Sequence, residues 1–193
     1  MINSIQRSFQ DAAAVLDVFN SNPEHFERVA AVSAVIATAF QNGNKVLICG
    51  NGGSTCDAMH FAEEFTGRYR QNRKALPVIS LSDASHITCV ANDFGFEHVF
   101  RRGVEAFGKA GDVFIGISTS GNSKNVVLAH DLAKELQLTT LNFLGKNGGA
   151  LAGKGDYEFI VPGATTDRIQ ELHMLILHII IESVERQLFP DLY

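Results

Sequence analysis

The sequence predicts an α/β fold, an open parallel sheet covered by helices on both faces. Two observations carry that prediction. From Lys45 onward, short apolar runs alternate with helical segments. The runs are continuously apolar rather than alternating, as strands buried on both faces are. In addition, two of the runs end in loops of Gly, Ser and Asn that lead straight into a helix, "GNGGST" (50–55) and "STSGNS" (118–123).

Taken in order, the first forty residues carry helical spacing. Ile5, Phe9, Ala12, Leu16 and Phe19 recur at three and four, and Val29, Val32, Ile36 and Phe40 repeat the pattern. "SNPEH" between them reads as a stop and restart, with Ser21 or Asn22 capping and Pro23 in the first turn. Two helices within 1–42 therefore precede the sheet, either covering it or forming an oligomer interface. "KVLICG" (45–50) is the first strand, and a helix follows from about Ser54. The other strands are "LPVISL" (76–81), "GDVFIGIS" (111–118), "TTLNFLG" (139–145) and "YEFIVPG" (157–163), with "SKNVVLAHDLAKELQ" as the helix after the third. The last helix runs from about Thr166 to Leu188. With no repeat, low-complexity tract or linker, residues 1–193 read as a single domain.

Composition narrows the function. The chain is 46% hydrophobic and 19% charged, a globular balance. A net charge of -5 argues against a nucleic-acid binder, which needs a concentrated basic surface. The most basic stretch, "GRYRQNRK" (67–74), reads as a solvated helix end and loop. Cys49, Cys56 and Cys89 are odd in number and form no CxxC pair, so a reducing cytoplasm is expected. The first residues lack the pattern of a secretory signal, and the longest apolar stretch, within 172–181, is too short for a membrane span.

The two loops should lie outside the carboxyl ends of the strands, where open α/β sheets bind ligands. In "STSGNS", Ser118, Thr119, Ser120 and Ser123 offer hydroxyls, Gly121 lets the backbone approach, and the following helix presents free N–H groups to an anion. One such residue would suffice as a helix cap, so four favour an anion site. "GNGGST" fails the GxGxxG fingerprint, and GK[ST] is absent. A sugar phosphate fits better than a nucleotide.

Two helices add titratable groups. His60 and Glu64 are four apart on one face, a spacing that can serve metal binding or acid–base chemistry but on its own favours a plain surface ion pair. In "DRIQELHMLILHIIIE" (167–182), Asp167, Gln170, Glu171, Met174 and His178 fall on one stripe, while His173 lies off it. His173 is therefore read as a structural or subunit-contact residue. His60, Glu64, Gln170 and His178 could meet around one ion, and neutral imidazoles favour zinc, nickel or iron over magnesium.

The segments "CGNGGSTCDAMHFAEEFTGRYR", "SDASHITCVANDFGFEHVF", "GDVFIGISTSGNSKNV" and "DRIQELHMLILH" together resemble the phosphoheptose isomerases, enzymes of the sugar isomerase (SIS) domain family, over nearly the whole chain. The resemblance implies a three-layer, flavodoxin-like SIS domain with a five-stranded parallel sheet. It also implies a cytoplasmic homotetramer with active sites between subunits. The implied reaction converts D-sedoheptulose 7-phosphate to D-glycero-D-manno-heptose 7-phosphate, opening the route to nucleotide-activated heptose for lipopolysaccharide or other surface glycans. By similarity, Ser118, Thr119, Ser120 and Ser123 bind phosphate, and Asn51, Gly52, Gly53, Ser54, Asn92, Asp93, Asp167 and Gln170 line the substrate site. His60, Glu64, Gln170 and His178 match the family's ligands to one zinc, and Glu64 and His178 its proton-transfer pair. A related domain instead binds the replication initiator, and other SIS domains isomerise or sense other sugar phosphates. The presence of both Glu64 and His178 favours the isomerase.

Overall fold

In a computed structural model describing residues 1–193, the alternation resolves into five parallel strands: β1 (Val46–Gly50), β2 (Val78–Ser80), β3 (Val113–Ser118), β4 (Thr139–Gly145) and β5 (Tyr157–Val161). Their order across the sheet is β2-β1-β3-β4-β5. This is the flavodoxin-like winding, whose order reverses between β1 and β3. Register places Ile48 beside Ser80 on one side and Ile115 on the other. β2 is shorter than the six residues the apolar run suggests. The amide of Leu76 is taken by the Phe65 carbonyl and Pro77 has none to donate, so pairing begins at Val78.

The strands bury both faces. Val46 and Ile48 point into a larger core with Ile115, Ile117, Phe143 and Phe159, under helices α2 (Glu24–Gln41), α3 (Gly53–Thr66) and α7 (Thr166–Leu188). Leu47 and Cys49 point the other way, with Phe114 and Leu144, under α4 (Ala84–Phe94), α5 (Val99–Phe107) and α6 (Lys124–Glu135). The two N-terminal helices divide. α2 buries Val29, Val32 and Ile36 as a full member of its layer. α1 (Ile2–Asn20) buries only Phe19, and its Ile2, Ile5 and Phe9 stand exposed. Pro23 stands at the cap position of the restart, and the preceding Asn22 supports the turn, its Oδ1 accepting from the amide of Glu24. No helix is long and apolar enough to cross a membrane.

The basic stretch after α3 is not simply solvated. Arg73 turns inward, and its side chain and that of Glu185 on α7 are each only 1% exposed. Its Nε donates to Glu185 Oε1 at 2.6 Å, and its terminal nitrogens donate to the carbonyls of Glu64, Phe65 and Gly67. One guanidinium thus satisfies the last carbonyls of α3 and fastens that helix end to α7. Charge counting alone cannot distinguish such a residue from its solvated neighbours. Removing one partner of a buried pair leaves an uncompensated charge. Arg73→Met is therefore expected to cost about 3–5 kcal/mol in urea unfolding, with part of the loss recovered when Glu185→Gln is added.

His173 is fully buried. Its Nε2–H donates to the Leu144 carbonyl at the end of β4, 2.8 Å away, and Nδ1 has no partner. This settles it as a core residue of the protomer. Burial pushes its pKa down from 6.5 to about 4. Between those values the unfolded chain holds a proton that the folded chain lacks, so stability falls as pH drops. The contribution is intact above pH 6.5 and decreases by about 3 kcal/mol as pH approaches 4. Urea titrations at pH 7 and pH 5 should show the loss in the wild type and a flatter dependence in His173→Gln.

Candidate active site

The loop after β1 and the loop after β3 flank the point where strand order reverses, and a cavity of about 270 Å³ opens between them. It is lined by Asn51, Gly52, Gly53 and Ser54 from one side, by Ser118, Thr119 and Ser123 from the other, and by Thr166 and Gln170 from α7. Three helices begin at its wall: α3 at Gly53, α6 at Lys124 and α7 at Thr166. None of the residues preceding them spends its side chain on a cap. The Ser123 hydroxyl instead accepts from Ser118 Oγ at 2.9 Å, within the loop. A simple capping role for the serines is thereby removed. The hydroxyls and the positive ends of three helix dipoles share one hollow, which suits an anion such as phosphate.

Backbone shape keeps this hollow open. Gly121 has φ +66°, and a Cβ there would strike the Gly148 backbone. A Cβ on Gly53 would lie 2.7 Å from the Gln170 amide, so only glycine admits that side chain to the cavity wall. Asn51 and Asn125 exchange two side-chain hydrogen bonds of 2.9 and 2.8 Å across the reversal point. Asn125 is buried and holds the two loops in register. Sequence reading did not single it out, since one asparagine in a helix's first turn is unremarkable.

Farther along the same two helices lies the second group. His60 and Glu64 face outward from α3 toward His178 on α7. His60 Nε2 stands 3.2 Å from Glu64 Oε1 and 3.5 Å from His178 Nε2. All three donor atoms lie within 4.8 Å of one another. Tetrahedral ligands about 2.0–2.1 Å from an ion are separated by about 3.3–3.4 Å, so these spacings fit one shared centre. Burial lowers the pKa of His178, and His60 lowers it further against the pull of Glu64. Both effects favour the neutral imidazole, the form that metal binding and proton acceptance need. Asp57, one turn before His60, has an oxygen buried without a partner, and burial pushes its carboxyl up to about 6. It was also missed, because nothing in its spacing announced burial.

Several predicted residues sit elsewhere. Gln170 lines the anion cavity, its amide donating to Ser54 Oγ at 3.2 Å. The Ser120 hydroxyl accepts from the Asn122 amide and is not among the residues lining the cavity. Asn92 and Asp93 stand exposed near the end of α4, bonded to each other. Asp167 is exposed beside Arg168; a hydrogen bond from Thr165 and then first-turn amides lower its pKa. The helical stripe therefore divides in space. Gln170 and His178 face α3, whereas Asp167 and Glu171 pair with Arg168 at the surface.

The family profile described as SIS domain matches residues 9–145. Over 193 residues the chain is 58% identical to the phosphoheptose isomerase of Fusobacterium nucleatum subsp. nucleatum, covering 100% of this chain and 97% of that one. It is 49% identical to the phosphoheptose isomerase of Proteus mirabilis, covering 95% and 96%. Among solved structures, the phosphoheptose isomerase of Neisseria gonorrhoeae superposes with a TM-score of 0.88 at 35% identity, covering 95% and 97% of the two chains. The Francisella tularensis phosphoheptose isomerase gives 0.90 at 32%, covering 96% and 98%.

A metal held by the three side chains binds only the folded state and must raise its stability. Zinc at a hundredfold excess over its Kd is expected to add about 2.7 kcal/mol in thermal unfolding. In His60→Ala most of that shift should vanish.

Proposed function

The chain belongs to the phosphoheptose isomerase family of SIS-domain proteins, and we propose that it isomerises D-sedoheptulose 7-phosphate to D-glycero-D-manno-heptose 7-phosphate with the residues of this crevice. The observation that carries the proposal is the spatial separation of its two halves. Gln170 at the anion cavity and His178 at the acid–base group are eight residues apart on α7, about 12 Å along the helix. In this substrate the phosphate and the reacting carbons lie at opposite ends, so a site for it needs that separation.

Binding starts with the phosphate on the hydroxyls of Ser118, Thr119 and Ser123 and the amides that open α3 and α6, with Ser120 closing over it. This remote contact holds the sugar in register for the chemistry. Asn51, Gly52, Gly53 and Ser54 line the path between the two halves. Asn92, Asp93 and Asp167, exposed in the single chain, contact the sugar hydroxyls from the rim. Glu64 takes the proton from C1 of the ketose and returns it to C2, and His178 moves the matching proton from the C1 oxygen to the C2 oxygen by way of the enediol. The donor set of His60, Glu64 and His178 would hold one zinc ion, which would supply a Lewis acid for the developing oxygen charge, while Gln170, expected from the resemblance as a fourth ligand, is turned to Ser54 at the anion cavity.

The reading extends to assembly. Ile2, Ile5 and Phe9 on α1 and Leu175 and Ile179 on α7 are exposed, more apolar surface than an isolated chain would present. We assign these faces to a homotetramer whose subunits close over the crevice. The three unpaired cysteines accord with a cytoplasmic enzyme.

The test is turnover of sedoheptulose 7-phosphate with zinc supplied, following the aldose by NMR. Glu64→Gln should lower kcat by about a hundred- to ten-thousand-fold while leaving substrate binding measurable by calorimetry. A variant that retains the wild-type rate would remove Glu64 from the role of base. Absence of turnover in the wild type would reduce the site to sugar-phosphate binding.

A further inference from the structure

His178 poses a problem of orientation. A metal-binding or proton-transferring imidazole is ordinarily held by a hydrogen bond from its second ring nitrogen to a carbonyl or carboxylate. Here its only polar neighbour within 3.5 Å is His60 Nε2. What it has instead is a ring: Tyr69 lies nearly parallel to it, 25° between planes and 5.8 Å between centroids, an offset stack. His60 meets the same imidazole steeply, with 4.9 Å between centroids and 81° between planes.

Tyr69 is itself held from two directions. Its ring packs against the larger core. The Arg70 guanidinium sits 5.1 Å from the ring centroid and reaches back to Glu182, where Nη1 meets Oε2 at 2.9 Å. Glu182 is one turn beyond His178 on α7, so the latch and the imidazole ride on the same helix. Arg73 anchors the far end of the loop.

We propose that Tyr69 is the positioning residue of His178: its ring fixes the imidazole plane in place of the missing hydrogen bond, and Arg70 with Glu182 latches that ring. The role rests on the isomerase reading for its kinetic consequence, but not for its effect on metal affinity. A stack restrains ring rotation without using a nitrogen, so both stay available, one for the ion and one for a proton. An ordinary core tyrosine would affect folding alone.

Three variants test it: Tyr69→Leu, Tyr69→Phe and Glu182→Gln, each compared with the wild type by competition for zinc against a chromophoric chelator, by kcat and KM, and by thermal unfolding. Tyr69→Leu is expected to weaken zinc binding about tenfold and to lower kcat by a similar factor, with KM within twofold. Tyr69→Phe should recover both, because the ring suffices. Glu182→Gln, which leaves the ring present but unlatched, should shift both in the same direction by a smaller factor. Wild-type zinc affinity and kcat in Tyr69→Leu, or losses confined to melting temperature, overturn the proposal. If the wild type does not turn over the ketose, the reaction assignment fails, and the zinc competition alone decides the role of Tyr69.

Discussion

Arg73 and Glu185 form a buried ion pair between the segment after α3 and the last turn of the final helix, and the geometry of the candidate site depends on it. Two charges out of water are tolerable only when their hydrogen bonds are nearly all satisfied. Here the guanidinium is filled by one carboxylate and the last carbonyls of α3, while Glu185 Oε2 also accepts from the Tyr193 hydroxyl at 2.6 Å. The pair fixes how α3 lies against α7. His60 and Glu64 are on one of these helices and His178 on the other, so small sliding between them would pull the three donor atoms apart. Well-packed apolar residues could supply comparable stability, but the directional fork of the guanidinium also specifies the alignment.

The rest of the crevice follows from topology. Because strand order reverses between β1 and β3, the loops leaving those strands diverge to opposite faces and leave a hollow between them. α7 lies across the end of that hollow and contributes Gln170. One helix therefore spans both halves of the site, the anion cavity near its start and the acid–base group two turns later. Of the polar side chains on this helix, Gln170 and His178 are the ones that meet α3.

Balance between rigidity and access is visible in the same place. The loops are held by the Asn51–Asn125 exchange and the Ser118–Ser123 hydrogen bond, whereas Asn92, Asp93 and Asp167 lie exposed at helix ends with partners only from their own stretch of chain. Groups that must be aimed before substrate arrives are supported by buried partners.

Much of this was legible in the sequence. Five strands, their parallel setting and the boundaries of α7 follow from apolar runs and helical spacing, since burial on both faces leaves no alternation and an amphipathic helix leaves a period. The Ser-rich loop and the His60–Glu64 spacing were also legible, because they are local in the chain. Other features were not. The direction in which Arg73 points, the burial of His173 and Asp57, the partnership of Asn125 with Asn51 and the stack of Tyr69 on His178 join residues between 74 and 112 positions apart, or depend on what covers them. Spacing placed Asp167 and His178 on one stripe, yet only packing showed that one faces water and the other faces α3. Local periodicity determined the elements and their chemical inventory. The tertiary structure decided which donors share a centre, because contact across sequence-distant helices is set by packing and by the buried charges that align them.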